Sequence, residues 1–243
     1  MRSIGSWHRR ALLAALVVLV VAVDPALAGP TTTADYIDGL RLKLLAIAVP
    51  VTIATEAALY YAVKNFRDND EPKPTKENRR LEVTWTLATA AILLFVGIAS
   101  YGAMAQPTVM SQVEDPQPEA GDVVVDVEAY QFGWEFYYAQ HENVSTDTKI
   151  VLPVDTRVYF SVTSRDVVHS FSVPDMGLKQ DAFPGQENMI VTRTTEQGTY
   201  QGYCAEFCGV NHAGMTFTVE VMSQSEFQSW LNEQEQRPGE VRN

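Results

Sequence analysis

At 243 residues the chain has room for one large or two small domains, and its formal net charge of −12 sets it against nucleic acid and other polyanions. No basic nucleic-acid patch, internal repeat or phosphate-cradling glycine loop interrupts that picture. Its two cysteines both fall in one short segment, so any thiol chemistry happens in a single place.

In chain order, the first element is a leader. Arg2, Arg9 and Arg10 precede the apolar run from Ala11 to Val23, and Ala26-Leu27-Ala28 follows as a small-residue cleavage site. Thirteen apolar residues suit a signal-peptide core better than a membrane span. Residues 1–28 therefore read as a signal peptide cleaved after Ala28, with an uncleaved anchor as the alternative. Residues 29–105 read as a transmembrane hairpin with spans at 40–63 and 83–105, each about 35 Å long as a helix. Arg41 and Lys43 sit where they can snorkel, whereas Glu56 lies within the first span and calls for a protein or water environment. The loop 64–82 carries Lys64, Arg67, Lys73, Lys76, Arg79 and Arg80, which places it in the cytoplasm. Everything after Gln106 is then exported across the cell membrane.

Residues 106–121 are polar and rich in Pro, Glu and Gln, and read as a linker. Short alternating or β-branched runs follow within 122–222, at 122–128, 157–163, 168–173, 189–195 and 215–222. Punctuated by Gly, Pro, Asn and Asp, they predict an all-β, cupredoxin-like sandwich. In the final segment, 223–243, Ser223-x-x-Glu226 resembles a capping box opening a short helix through Phe227, Trp230 and Leu231. The exported part holds seven basic residues against 21 acidic ones, a formal charge of −14. That balance suits ordinary solubility and an acidic face for a basic partner, and acids spread along a domain also suit a salt-adapted source, where steering is weak.

The segment Cys204-Ala-Glu-Phe-Cys208-Gly-Val-Asn-His212-Ala-Gly-Met215 concentrates two thiols, an imidazole and a thioether, and His169 lies 35 residues before Cys204. These are soft and borderline ligands that select copper over magnesium or calcium. Three readings stand. Cys208, His212, Met215 and His169 alone match a mononuclear blue-copper site. Cys204 is surplus to that site, and as a second thiolate it can bridge a second copper, with each metal taking one histidine. The third reading is a disulfide between Cys204 and Cys208.

The loop resembles that of cytochrome c oxidase subunit II, Cys-x-Glu-x-Cys-Gly-x-x-His-x-x-Met, at Cys204, Glu206, Cys208, Gly209, His212 and Met215. Asp166-Val-Val-His169-Ser-Phe-Ser-Val-Pro174 resembles the family's first-histidine strand, and Gly177 to Gly185 its following turn. The resemblance implies a dinuclear CuA centre held by His169, Cys204, Cys208, His212, Met215 and the backbone carbonyl of Glu206. It implies electron relay from a soluble donor, cytochrome c or a small copper protein, to haem in oxidase subunit I. Oxygen reduction and proton pumping belong to that partner, with subunit III alongside, so no catalytic residue is expected in this chain. Glu206 is also implied in a magnesium site shared with subunit I. Glu82-x-x-Trp85-Thr86 resembles the family's Glu-x-x-Trp-Thr, which in many members lies near a proton-channel mouth; the proline that follows in the family is absent here. Tyr130 to Tyr138 resembles the family's aromatic stretch through which electrons arrive, with Phe132 at the usual tryptophan and Trp134 nearby. A membrane-tethered mononuclear cupredoxin remains the rival reading.

Overall fold

The computed structural model describes residues 29–74, 76–106, 118–141 and 144–236. The expected signal peptide, most of the linker and the last seven residues lie outside them. Two long helices come first, α1 (Thr32–Phe66) and α2 (Arg79–Met104). Thr31 caps α1 by accepting the Ala34 N–H, and Asn78 caps α2 by accepting that of Leu81. Both helices turn apolar side chains outward: Leu87, Leu93, Leu94 and Ile98 are all about two-thirds exposed. Such a surface needs lipid or an apolar partner around it. At 35 residues, α1 is about 52 Å long, well beyond a hydrocarbon core of about 30 Å. The expected span, 40–63, is its apolar middle; the first turns extend past it to reach the β domain.

That domain is a sandwich of two five-stranded sheets. Its strands are β1 (Val123–Tyr130), β2 (Gly133–Tyr138), β3 (Ser145–Thr146), β4 (Lys149–Pro153), β5 (Arg157–Ser164), β6 (His169–Val173), β7 (Leu178–Ala182), β8 (Asn188–Arg193), β9 (Gly198–Cys204) and β10 (Thr216–Met222). One sheet runs β3-β2-β1-β5-β8 and the other β4-β10-β9-β6-β7. In β1, Val123, Val125, Val127 and Ala129 are buried while Val124, Asp126 and Glu128 lie nearer the surface, the period of two that makes a one-faced strand. β2 repeats it, with Trp134, Phe136 and Tyr138 inward and Glu135 and Tyr137 outward. The inward faces meet in an aromatic core, where Phe217 lies 5.1 Å from Phe171 and 5.3 Å from Trp134 between ring centres.

Two departures from the expected elements have clear causes. β4 and β7 carry no alternation: β4 is buried on both faces from Ile150 to Pro153, and β7 buries only its ends. Pairing with β10 and β6 respectively makes them strands. The last helix, α3 (Gln224–Glu235), begins as expected: Ser223 and Glu226 exchange hydrogen bonds in a capping box, and Phe227 and Leu231 are buried.

The start of α1 is fastened to the sandwich. Thr31 forms an antiparallel bridge with Thr194, and the Thr31 hydroxyl donates to the Met176 carbonyl at 2.7 Å. The hydroxyls of Thr33 and Thr192 meet at 2.8 Å. The first helix therefore begins on the side of the membrane that holds the β domain. A two-span hairpin requires this.

Candidate metal centre

β9 and β10 pair antiparallel up to Tyr203↔Thr216, and the ligand loop closes over their ends with a Cys204 N–H to Met215 carbonyl bond of 3.0 Å. On the neighbouring strand, Phe171 of β6 pairs with Cys204, which sets His169 two residues away, at the same end of the sandwich. Ala205 ties the loop to β6 by donating to the Ser170 carbonyl at 2.9 Å. Gly209 turns the loop at φ 137°, a conformation side chains resist, and a Cβ there would lie 2.9 Å from the Phe132 ring.

The residues singled out from sequence converge. His169 Nδ1 lies 3.8 Å from Cys204 Sγ, and Cys204 Sγ lies 3.9 Å from Cys208 Sγ. Cys208 Sγ lies 3.7 Å from His212 Nδ1 and 3.3 Å from Met215 Sδ. The Glu206 carbonyl oxygen is 3.2 Å from Cys204 Sγ, while the Glu206 side chain is exposed. His169, Cys204, Cys208 and Met215 are all buried; His212 stands at the rim.

These separations test what the site can hold. Both thiols are free, and 3.9 Å is far beyond a disulfide bond of about 2.05 Å. Two atoms bonded to one metal at about 2.0–2.3 Å cannot be more than about 4.6 Å apart, and each neighbouring donor pair satisfies that limit. The compact His169, Cys204 and Cys208 group contains no carboxylate. Sulfur and imidazole donors, buried except at His212, fit a soft or borderline transition metal better than a hard cation.

The surroundings orient the donors. Asp166 Oδ1 accepts from His169 Nε2 at 2.9 Å, leaving Nδ1 turned to the sulfurs. Partial burial pushes the Asp166 carboxyl up, but bonds from His169 and from the Gln131 and Val167 N–H groups outweigh it and hold the group below its ordinary range. The Gln131 amide donates to the Cys208 carbonyl at 2.5 Å, and the Trp134 indole N–H to the Met215 carbonyl at 3.4 Å. Gln131 and Asp166 as braces were missed from sequence; their only signal was proximity to residues already singled out. Burial and the Cys204 thiol push the Cys208 thiol up to about 11, so a metal must displace its proton on binding.

The other expected residues lie elsewhere. Trp134 is in the core, with its ring centre 6.3 Å from that of His169, so it is no surface contact for a donor. Phe132 is half-buried above Gly209. Glu82 is exposed in the first turn of α2. Phe207 and Val210, at the loop tip, are 78% and 100% exposed, apolar groups that frame the site toward solvent. His141, far from the loop, pairs with Glu235 at 2.7 Å.

Comparison with known proteins gives two adjacent matches. Residues 27–102 match the family model described as the transmembrane domain of cytochrome c oxidase subunit II, and residues 120–222 match its periplasmic domain. The chain is 30% identical over 210 residues to a probable cytochrome c oxidase subunit 2 of Rickettsia bellii, covering 77% of this chain and 75% of the relative. It is 31% identical over 202 residues to cytochrome c oxidase subunit 2 of Candida glabrata, covering 72% of this chain and 77% of that one. The similar match to a probable subunit 2 of Rickettsia prowazekii, at 30% identity, spans 64% of that relative's length. Among solved structures, the periplasmic domain of cytochrome oxidase subunit II from Bradyrhizobium japonicum is 27% identical with a TM-score of 0.47, covering 50% of this chain and 99% of that one.

Proposed function

The chain belongs to the cytochrome c oxidase subunit II family, and on that premise we propose that its periplasmic domain holds a dinuclear copper centre that relays single electrons to the haem-bearing subunit I of a respiratory oxidase. The observation that carries this is the chain of donors running His169, Cys204, Cys208, His212 with steps of 3.7 to 3.9 Å. A mononuclear site has use for only one of the thiols. Cys204 and Cys208 with His169, His212, Met215 and the Glu206 carbonyl would hold two metals with mostly soft ligands. When bound, the copper pair would supply one-electron storage with little geometric change, the chemistry a relay between a soluble carrier and the partner's haem needs.

The chain's own residues do the rest. Asp166 fixes the ring of His169, and Gln131 and Trp134 hold the carbonyls of Cys208 and Met215, so the loop is preorganised before metal arrives. The aromatic core excludes water from the sulfurs. Phe132, half-buried above Gly209, is the aromatic in position to meet a donor, and Trp134 lies in the core beside His169. The donor is cytochrome c or a small copper protein, and the acidic periplasmic part favours a basic docking face at low salt. Glu206 offers its exposed carboxylate to a magnesium ion shared with subunit I, and Glu82 stands at the cytoplasmic start of α2, where a proton channel of the partner opens. α1 and α2 dock the relay to subunit I, with subunit III in the same complex in the plasma membrane; oxygen reduction and proton pumping take place in the partners.

The rival is a tethered mononuclear cupredoxin. Copper analysis and electron paramagnetic resonance on the purified full chain separate the two. The dinuclear reading expects two coppers per chain, a spectrum with the unpaired electron shared by both nuclei, and loss of that spectrum in Cys204→Ser. One copper with a single-nucleus hyperfine pattern, unchanged in Cys204→Ser, would overturn it.

A further inference from the structure

Beside the corner that carries Phe132, an arginine is clamped between two acids. Arg165 follows the end of β5, and its N–H donates to the Ala129 carbonyl at 2.9 Å. The guanidinium lies over the Tyr130 ring, 5.2 Å from its centre. It donates to Glu128 Oε2 at 2.7 Å and bonds both carboxylate oxygens of Glu135. Tyr137 completes the cluster by donating to Glu135. The next residue, Asp166, is engaged by His169 and by the Gln131 N–H. These three carboxylates are therefore occupied within the protein.

Exposure decides which sign a visitor meets. The Arg165 side chain is 40% exposed, against 28% for Glu128 and 27% for Glu135, so the cation presents the larger edge. Next to it Phe132 lies against Gly209, and Val210, one residue on, is fully exposed. A carrier arriving at this corner meets apolar side chains and a guanidinium, although the periplasmic part as a whole is acidic.

We propose that Arg165 sets the choice of electron donor: it withholds Glu128 and Glu135 from basic carriers and offers its free edge to a carboxylate on an acidic one. The occupant is a soluble one-electron carrier with carboxylates around an apolar docking patch. This rests on the reading of the site as a copper centre that accepts electrons. One electron leaves the carrier and reduces the copper pair, and no proton or bond is exchanged. Net charge still draws a basic carrier from a distance. At contact, however, its lysines face a guanidinium already paired in the fork geometry that suits carboxylates, and like charges set together reject a partner. At molar salt the Debye length is about 3 Å, so long-range attraction fades and the contact charges are what remain.

The test uses the assembled oxidase purified from membranes and one carrier in two forms, a basic c-type cytochrome and the same protein with its lysines succinylated. Stopped-flow rates of electron transfer to the copper centre are measured at low salt. Arg165→Gln is expected to speed the basic form about five-fold and to slow the succinylated form by a similar factor. Arg157→Gln removes the same charge from the start of β5, about 26 Å away at 3.3 Å per residue, and should change either rate less than about two-fold. Arg165→Lys keeps the charge and should retain the wild-type ratio of the two rates. An unchanged ratio in Arg165→Gln overturns the proposal. So does an equal shift in Arg157→Gln, where net charge alone would be read, or in Arg165→Lys, where the effect would be structural. Should Arg165→Gln fail to fold, Arg165→Met, which keeps the stem packed on Tyr130, is judged by the same outcomes. The copper spectrum separates the two levels of the argument. A wild type without it removes the premise and the inference together, whereas an intact spectrum with an unmoved ratio removes the inference alone.

Discussion

Phe132 and Trp134 are two residues apart and face different surroundings, which changes how either can be tested. Trp134 is buried against Phe136, Phe171 and Phe217 and also touches His169. Truncating a core tryptophan of this kind costs about 3–5 kcal/mol, so Trp134→Ala should lower the unfolding midpoint in denaturant before it says anything about electrons. Phe132 is half-buried over Gly209 and can be removed more cheaply. Phe132→Ala is expected to leave the copper spectrum and unfolding midpoint near wild type while slowing oxidation of the soluble donor by the assembled oxidase. Unchanged donor kinetics in a folded Phe132→Ala would remove it from the electron path.

At the scale of elements, the β9–loop–β10 hairpin makes the site and α3 seals the opposite part of the sandwich. α3 depends on its start: Ser223 accepts the Glu226 N–H, and the Glu226 carboxylate accepts that of Ser223 at 3.0 Å. From there Phe227 and Leu231 enter the core, and Trp230 packs on Tyr138 with ring centres 5.2 Å apart. Losing a serine cap costs about 1 kcal/mol. Ser223→Ala should therefore lower the thermal midpoint by about 2–4 °C in a chain of this size, without disturbing the copper spectrum. A shift in the spectrum would mean that α3 communicates with the loop, an arrangement the contacts give no reason to expect.

For the whole molecule, acid is the relevant stress. Arg165 holds Glu135 below the ordinary carboxylate range, Lys179 does the same for Asp181, and the Ser223 cap for Glu226. Each binds its proton more weakly folded than unfolded, so each contributes stability above the ordinary carboxylate range that drains away as pH falls through the folded value. Asp126, raised by burial and by Glu187, works the other way but stands against these three and Asp166. The detergent-solubilised chain should keep a flat melting temperature from pH 7 to about 5 and lose it progressively below about 4.5. A melting temperature that rises on acidification would show that relief of the net negative charge outweighs these pairs.

Much of this architecture was readable along the chain. Long apolar runs with basic residues between them require a membrane hairpin whatever the rest does, and the alternation in β1 marks a one-faced strand. Four donors of three types at spacings of four, four and three name a metal class before any fold is known. What sequence left open needed contacts between distant segments. Cys204 and Cys208 could have been a disulfide until the sandwich held their sulfurs 3.9 Å apart as free thiols, with a histidine at each end. β4 and β7 have no pattern of their own and become strands only by pairing. Trp134 could be read as an electron-entry aromatic until β2 turned it inward. Thr31 and Thr33 meet Thr194 and Thr192, some 160 residues later in the chain, only once the sandwich has formed. Local chemistry is carried by residue type and spacing; burial, protonation and pairing are set by neighbours far off in sequence, and those exist only once the chain has folded.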